Sequence, residues 1–333
     1  MIARHSKLRH PAGVSIETPL LVPSFSSKGF GFDGRGMSEV QKIHEVAPEY
    51  LTEAMLVSAY DLHHGHLEEP TGAITEITFV DSGGYETSDL KDLSDTFITT
   101  TAPKTWTPEL HHETLERWPD HIPAVFVSFD SADDPQPLGD QIAQAKEMAG
   151  RYPKQMSAIL VKPETKDQKF IQIPNVLAAV EDLSGFSIIG LTEKELGNSF
   201  LKRMENISKV RLELDDAGIR SPIHVFGSLD PISICLYFLS GAEIFDGLSW
   251  LRYGFLHGDA VYRHNFAART IGLQRRDDFV KTKTMQDNLN YLSDLTTRMR
   301  RFLNDGDFAA LAPNDGLLHE AFELLRTKNA RVA

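Results

Sequence analysis

Ile223-His224-Val225-Phe226-Gly227, then Pro231 through Leu239, then Glu243-Ile244-Phe245-Asp246, is the stretch that decides the fold. A short apolar run, a helical stretch opened by proline and a second short apolar run ending on a carboxylate read as strand, helix, strand. The unit recurs along the chain. Comparable runs are Leu20–Phe25, Ala54–Tyr60, Ile77–Asp81, Ala124–Asp130, Ser157–Lys162 and Ser187–Leu191. Between the runs, Ser38–Ala47, Pro108–Trp118, Leu138–Arg151, Ile171–Leu183 and Glu195–Ala217 read as helices. Strands alternating with helices imply a parallel sheet, and eight of them suggest closure into an α/β (β/α)8 TIM barrel rather than an open sheet. The barrel is expected over residues 1–272. Beyond it, 273–333 reads as a helical extension with Asp287–Leu303 and Gly316–Leu325 amphipathic, either a cap on the barrel or an oligomer contact.

Composition narrows the function. The longest apolar run, Ile232–Leu239, is far short of the ~18 residues a membrane span needs. The start, Met1-Ile2-Ala3-Arg4-His5, is not followed by an apolar segment, so no signal peptide is expected. Cys235 is the single cysteine, which excludes an intramolecular disulfide and any multi-thiolate metal site. The expectation is a cytoplasmic protein without membrane contact. A net charge of −13 argues against strong nonspecific binding to DNA or RNA, which relies on Lys and Arg neutralising phosphates. Charge is nonetheless uneven. Arg252, Arg263, Arg269, Arg275, Arg276, Lys281 and Lys283 crowd a stretch with only Asp259, Asp277 and Asp278 against them. This strip is either a solvated face or a local phosphate-contacting surface.

In such barrels the C-terminal ends of the strands build the active site. Here those ends carry Asp81, Asp130, Lys162, Ser228 and Asp246, with Glu193 and Glu195 just beyond the sixth strand. Desolvating a carboxylate is expensive, so several at one barrel mouth need a reason. Helix capping explains Asp130 as well as a site role does, since Ser131, Asp133 and Asp134 follow it. It explains Asp81 poorly, because Ser82-Gly83-Gly84-Tyr85 reads as a tight loop, and Asp246 poorly, because no obvious helix begins after it.

These landmarks together resemble the queuine tRNA-ribosyltransferase (tRNA-guanine transglycosylase) superfamily. The likeness runs in family order from Glu17 to about Arg263. Glu17-Thr18-Pro19-Leu20-Leu21-Val22-Pro23 looks like the opening strand, and Ala59-Tyr60-Asp61-Leu62 like the end of the second. Val80-Asp81-Ser82-Gly83-Gly84-Tyr85-Glu86 is the closest match, with Glu86 where the family usually has Gln. Ser128-Phe129-Asp130, Ile189-Gly190-Leu191-Thr192-Glu193-Lys194-Glu195, Phe226-Gly227-Ser228-Leu229-Asp230-Pro231 and Gly241-Ala242-Glu243-Ile244-Phe245-Asp246 complete the series. Three departures stand out. The family's zinc site of three Cys and one His cannot be built, so the extension must be constructed differently. Lys162-Pro163 replaces a Gln-Gly-Gly segment that helps read the base. Gly247-Leu248-Ser249-Trp250-Leu251-Arg252 replaces Cys-Val-x-Pro-Thr-Arg, keeping the final Arg. Altered reading loops around intact carboxylates look more like the branch that places 7-deazaguanine bases in DNA than the tRNA branch.

What the resemblance implies is exchange of guanine in a nucleic acid, DNA favoured over tRNA, for a 7-deazaguanine base. Asp246 would attack C1′ and hold the sugar covalently while Asp81 handles the proton. Asp130 would accept from the pyrimidine edge of the base. Ser82 and the Gly190-Leu191 backbone would add contacts, Glu195 would buttress that peptide, and Tyr85 would stack on the base. Lys162 could pair with Asp130 or Asp246, or touch a phosphate. Arg252, Arg263, Arg275 and Arg276 would meet the nucleic-acid backbone. The target nucleotide must be flipped or unpaired. No organic cofactor and no metal is implied, and a partner protein or a second copy could assist. Two other readings stay open: an RNA-directed (tRNA) transglycosylase, and a non-catalytic barrel subunit that supports a partner enzyme. Of the remaining residues, His63-His64-Gly65-His66 reads as a loop or solvated cluster and His111-His112 as helix surface. Trp106 and Trp118 read as core, while Trp250 is divided between core and pocket lining.

Overall fold

Alternate residues of a strand face opposite ways, and the inward set here is almost wholly apolar until the last position. Leu20 and Val22, Ala54 and Leu56, Ile77 and Phe79, Val125 and Val127, Ala158 and Leu160, with Ile188 and Ile244, form one buried cluster inside a ring of strands. A computed structural model of the chain describes residues 2–33, 36–88, 103–130 and 134–330. The strands are β1 (Lys7–Arg9), β2 (Ser15–Glu17), β3 (Leu20–Phe25), β4 (Ala54–Ser58), β5 (Ile77–Asp81), β6 (Ala124–Val127), β7 (Met156–Val161), β8 (Ile188–Thr192), β9 (Ile223–Phe226), β10 (Ile244–Gly247), β11 (Tyr253–Leu256) and β12 (Asp259–Tyr262). Strands β3 to β10 pair in parallel in chain order, and β10 closes the ring on β3 with Ile244 opposite Leu20 and Asp246 opposite Val22. The expected (β/α)8 barrel is the observed fold. Helices follow the strands on the outside, and their apolar faces form a second, larger core with the outward strand residues.

The quoted stretch folds as read. Asp230 accepts from the Ile232 and Ser233 amides at 3.1 and 3.0 Å, capping a helix at Pro231–Leu239 whose first-turn proline has no amide to satisfy. Elsewhere boundaries move for local reasons. The Ala54–Tyr60 run leaves the sheet at Ser58 and winds into a helical turn, Ala59–His63. The helix expected from Glu195 begins only at Phe200, because Gly197 takes a left-handed φ of 148° and Ser199 caps Lys202. Two hairpins carry too few residues for a periodic signal. In one, β1 with β2, Leu8 and Ile16 plug the bottom of the barrel as part of its inner cluster.

The extension is built from a 29-residue helix, Asp277–Asp305, and a second at Asp315–Ala330. Leu289, Leu292, Leu295, Met299 and Phe302 bury themselves in the same outer core as the barrel helices. Asn288, fully buried, donates to the Trp250 and Tyr253 carbonyls at 2.7 Å and accepts from the Phe255 amide at 2.8 Å. One side chain thus ties the extension to the loop that leaves β10. Among the described residues no helix is long and apolar enough to cross a membrane.

Candidate active site

The same alternation that buries Phe79, Leu160 and Ile244 aims Asp81, Lys162 and Asp246 into the barrel mouth, two residues further along each strand. Asp246 is buried, and three donors converge on it. His224 Nε2 lies 3.0 Å from Oδ1, the Gly227 amide donates to the same oxygen at 3.2 Å, and Ser24 Oγ donates to Oδ2 at 2.8 Å. Gly227, with φ 77°, can turn its amide inward where an L side chain would be strained. The short helix after Asp246 starts at Ser249 with Leu248 at its cap position, so Asp246 is not a helix cap.

Asp81 is treated differently. Its Oδ1 is sealed from solvent and has no hydrogen-bond partner among the described residues. Burial, then the charges of Glu86, Asp130 and Asp246, push its carboxyl well above the usual aspartate range. Asp130 lies three residues past β6. Ser82 Oγ donates to its Oδ1, and Lys162 Nζ stands 3.4 Å from its Oδ2. Among the described residues the next helix, Leu138–Arg151, has Pro137 and not Asp130 at its cap position, and residues 131–133 lie outside the described residues. Glycine makes this junction possible. A Cβ on Gly84 would fall 2.5 Å from the Asp130 carboxylate, and Gly83, at φ 87°, lies against Tyr60 and Trp106. Lys162 also pairs with Glu195 at 2.8 Å and donates to Thr192 Oγ1 at 3.3 Å. Burial pulls its ammonium down, but Asp130 and Glu195 outweigh that and hold it charged. Of the partners open to Lys162, the fold selects Asp130.

Several expected roles shift. Glu195 reaches the Lys162 ammonium at 2.8 Å, and among the described residues no hydrogen bond joins its side chain to the Gly190-Leu191 peptide. Those two residues lie inside β8, opposite Leu160 and Val161 on one side and His224 and Val225 on the other. A Cβ at Gly190 would strike the Phe226 ring at 2.7 Å, so the glycine makes room for that ring. Tyr85 has the Lys28 ammonium over its ring at 4.5 Å and accepts from Arg252 at 3.2 Å. Arg252 also donates to the Lys28 carbonyl at 3.1 Å, drawing it into the loops rather than out toward solvent. The basic strip is partly neutralised by carboxylates. Arg276 pairs with Asp278 at 2.6 Å, Lys281 with Glu39 at 3.3 Å, and Lys283 with Asp287. Arg275 and Arg269 are exposed and Arg263 half-buried.

His111 corrects the surface reading. The helix Pro108–Arg117 turns His111, Thr114 and Leu115 inward together, and burial lowers the imidazole to about 3. His66 Nδ1 lies 3.0 Å from buried Asp61, and no cluster of described residues could hold a metal ion. Trp118 is core as expected, whereas Trp106 is only partly buried and donates to the Ser82 carbonyl at 2.8 Å, supporting the loop after β5. Trp250 falls to the core: it is buried, donates to the Ser24 carbonyl at 3.1 Å and packs edge-on to Phe25. Sequence reasoning missed Ser24 and His224. Both are polar residues at inward positions of otherwise apolar strands, and that was the available signal. No protein-family model and no curated protein matches the chain.

Proposed function

We propose that this protein is a guanine transglycosylase that exchanges guanine in a nucleic acid, DNA in the first instance, for a 7-deazaguanine base. The observation that carries the reading is the contrast between two carboxylates at one barrel mouth. Asp246 is held by three donors, and Asp81 is left with a bare, buried oxygen and an elevated affinity for a proton. Two carboxylates of which one is hydrogen-bonded and the other is pushed toward its protonated form suit a displacement in which the first attacks and the second moves the proton. Asp246 bonds to C1′ as the glycosidic bond breaks. The bonding pair leaves on the base nitrogen, which takes the proton of Asp81. The incoming base then attacks C1′ and returns a proton to Asp81, and the Asp246 carboxylate departs. Asp130 and Lys162 offer an acceptor and a donor 3.4 Å apart, suited to the N–H and C=O of a lactam edge.

The test is incorporation of labelled guanine and of a labelled 7-deazaguanine into denatured DNA and into tRNA, run in parallel. Label in DNA supports the reading, and label in tRNA alone makes the protein an RNA-directed transglycosylase. Label in neither, with candidate partner proteins present, removes the enzyme and leaves a supporting subunit. Asp81→Asn separates the steps. It should slow exchange; adduct that still accumulates would confine Asp81 to the second step, adduct lost as well would place it in both, and an unimpaired variant would release Asp81 from its role.

A further inference from the structure

The two oxygens of Asp246 are not equivalent, and the difference assigns them separate tasks. A carboxylate oxygen has two in-plane lone pairs. On Oδ1 both are engaged, by His224 Nε2 at 3.0 Å and by the Gly227 amide at 3.2 Å. On Oδ2 one is engaged, by Ser24 Oγ at 2.8 Å, and among the described residues nothing takes the other. His224 is fully buried on β9, stacked on Phe226 with ring centroids 3.8 Å apart and edge-on to Phe79 at 5.4 Å. Its Nδ1 is buried and has no hydrogen-bond partner among the described residues. A proton there would be a sealed, unsatisfied donor, whereas a bare lone pair costs less, so the ring carries its proton on Nε2 and donates to Asp246.

We infer that Oδ2 of Asp246 is the oxygen that bonds C1′, and that His224 is a positioning residue which, with the Gly227 amide, holds Oδ1 and favours departure of this carboxylate from the sugar. The inference rests on the transglycosylase reading. When the C1′–Oδ2 bond forms, the glycosidic pair leaves on the base nitrogen, and negative charge drains from Asp246 as Oδ1 becomes an ester carbonyl. When the incoming base attacks, the C1′–Oδ2 pair returns to the carboxylate. Donors on Oδ1 therefore stabilise the start of the first step and the end of the second. Losing His224 should leave adduct formation as fast or faster and should slow its breakdown. A residue that only kept the strand in place would slow both.

The experiment is a single-turnover assay with the full chain. Denatured, end-labelled DNA or tRNA is mixed with the protein, the covalent adduct is read on a denaturing gel, and its decay is followed after a chase with guanine. In His224→Leu the breakdown rate should fall by roughly 10- to 100-fold, the size of one lost hydrogen bond to a charged group, and the steady-state adduct should rise. His224→Gln, with an amide donor, should recover most of that rate, and circular dichroism should show both variants folded. Ser24→Ala, which frees the second lone pair on Oδ2, should change breakdown less than His224→Leu does. Breakdown at the wild-type rate in folded His224→Leu, or formation slowed as much as breakdown, overturns this inference alone. No adduct with wild-type protein on either nucleic acid overturns the transglycosylase reading and takes the inference with it.

Discussion

Glu243 and Asp246 stand three residues apart at opposite ends of β10, and the barrel treats the two ends differently. At the bottom, Glu243 is sealed in but answered. Arg4 Nε donates to it at 2.9 Å, the Ile223 amide at 2.8 Å, and fully buried Arg211 lies 3.8 Å away. Burial pushes Glu243 up, and the two arginines and the amide pull it back. At the mouth, the charges felt most strongly by Asp81 are carboxylates: Glu86, Asp130 and Asp246. Lys162, a half-buried cation there, is committed to Asp130 and Glu195. A fold gains nothing in stability from gathering carboxylates in excess of cations, so on the transglycosylase reading the mouth is where stability has been given up for chemistry.

Swapping charge for amide at each end gives the largest and most direct break of this comparison. Asp246→Asn should lower exchange by about 10⁴-fold or more and abolish the adduct, with little change in melting temperature. Glu243→Gln should do the reverse. Arg4 and Arg211 would lose one carboxylate but keep Asp215, at 2.5 and 3.0 Å, so the cost should be on the order of 1–3 kcal/mol of stability, while exchange per folded molecule is retained. Chemical denaturation and exchange assays on both variants decide it. A stable, active Asp246→Asn would end its assignment as nucleophile.

Glu86 sharpens the contrast on the stability side. It is buried beside Asp61 and accepts from Ser26. Burial, with the Asp61 charge adding to it, pushes the carboxyl from 4.5 up to about 7. The folded chain therefore holds this proton where the unfolded chain has lost it. The group's contribution is fully present below pH 4.5 and is lost as pH rises through about 7. A shift of that size is worth roughly 3 kcal/mol. Glu86→Gln should be that much more stable than wild type at pH 8 and nearly equal to it at pH 4. Stability curves of the two that run parallel across this range would show that Glu86 keeps an ordinary affinity for its proton.

How much of this was legible beforehand follows from what each signal needs. The barrel strands announce themselves because an apolar run closed by a polar residue is local, and Asp81, Asp130 and Asp246 stand at or just past those closures. Lys162 was visible as a residue but not as a partner, since its ion pairs bridge β6, β7 and the turn after β8. His224 was hidden by its own strand: among isoleucine, valine and phenylalanine, a histidine reads as one imperfect core position. Its hydrogen bond to Asp246 spans 22 residues and exists only once β9 and β10 are side by side. The neutralisation of the basic strip was equally out of reach, because Lys281 finds Glu39 across 242 residues.

That neutralisation sets the smallest predicted effect. With Arg276 tied to Asp278, Lys283 to Asp287 and Arg252 turned into the loops, the strip offers fewer phosphate contacts than its charge count suggests. Arg275 is exposed, with its guanidinium 5.4 Å over the Phe279 ring, and Arg276 is 84% exposed despite its pair. Reversing charge at both should weaken nucleic-acid binding several-fold at moderate salt and flatten the plot of log affinity against log salt by about 1, the value of one lost phosphate contact. The turnover of bound substrate should not change, because neither arginine is among the groups at the barrel mouth. Asp278→Asn is the complementary probe: freeing Arg276 should steepen the salt dependence and tighten binding. If neither variant moves the slope, this face is a solvated surface, and the transglycosylase reading then requires that nucleic acid reach the chain through the mouth itself or through a partner that carries the positive charge.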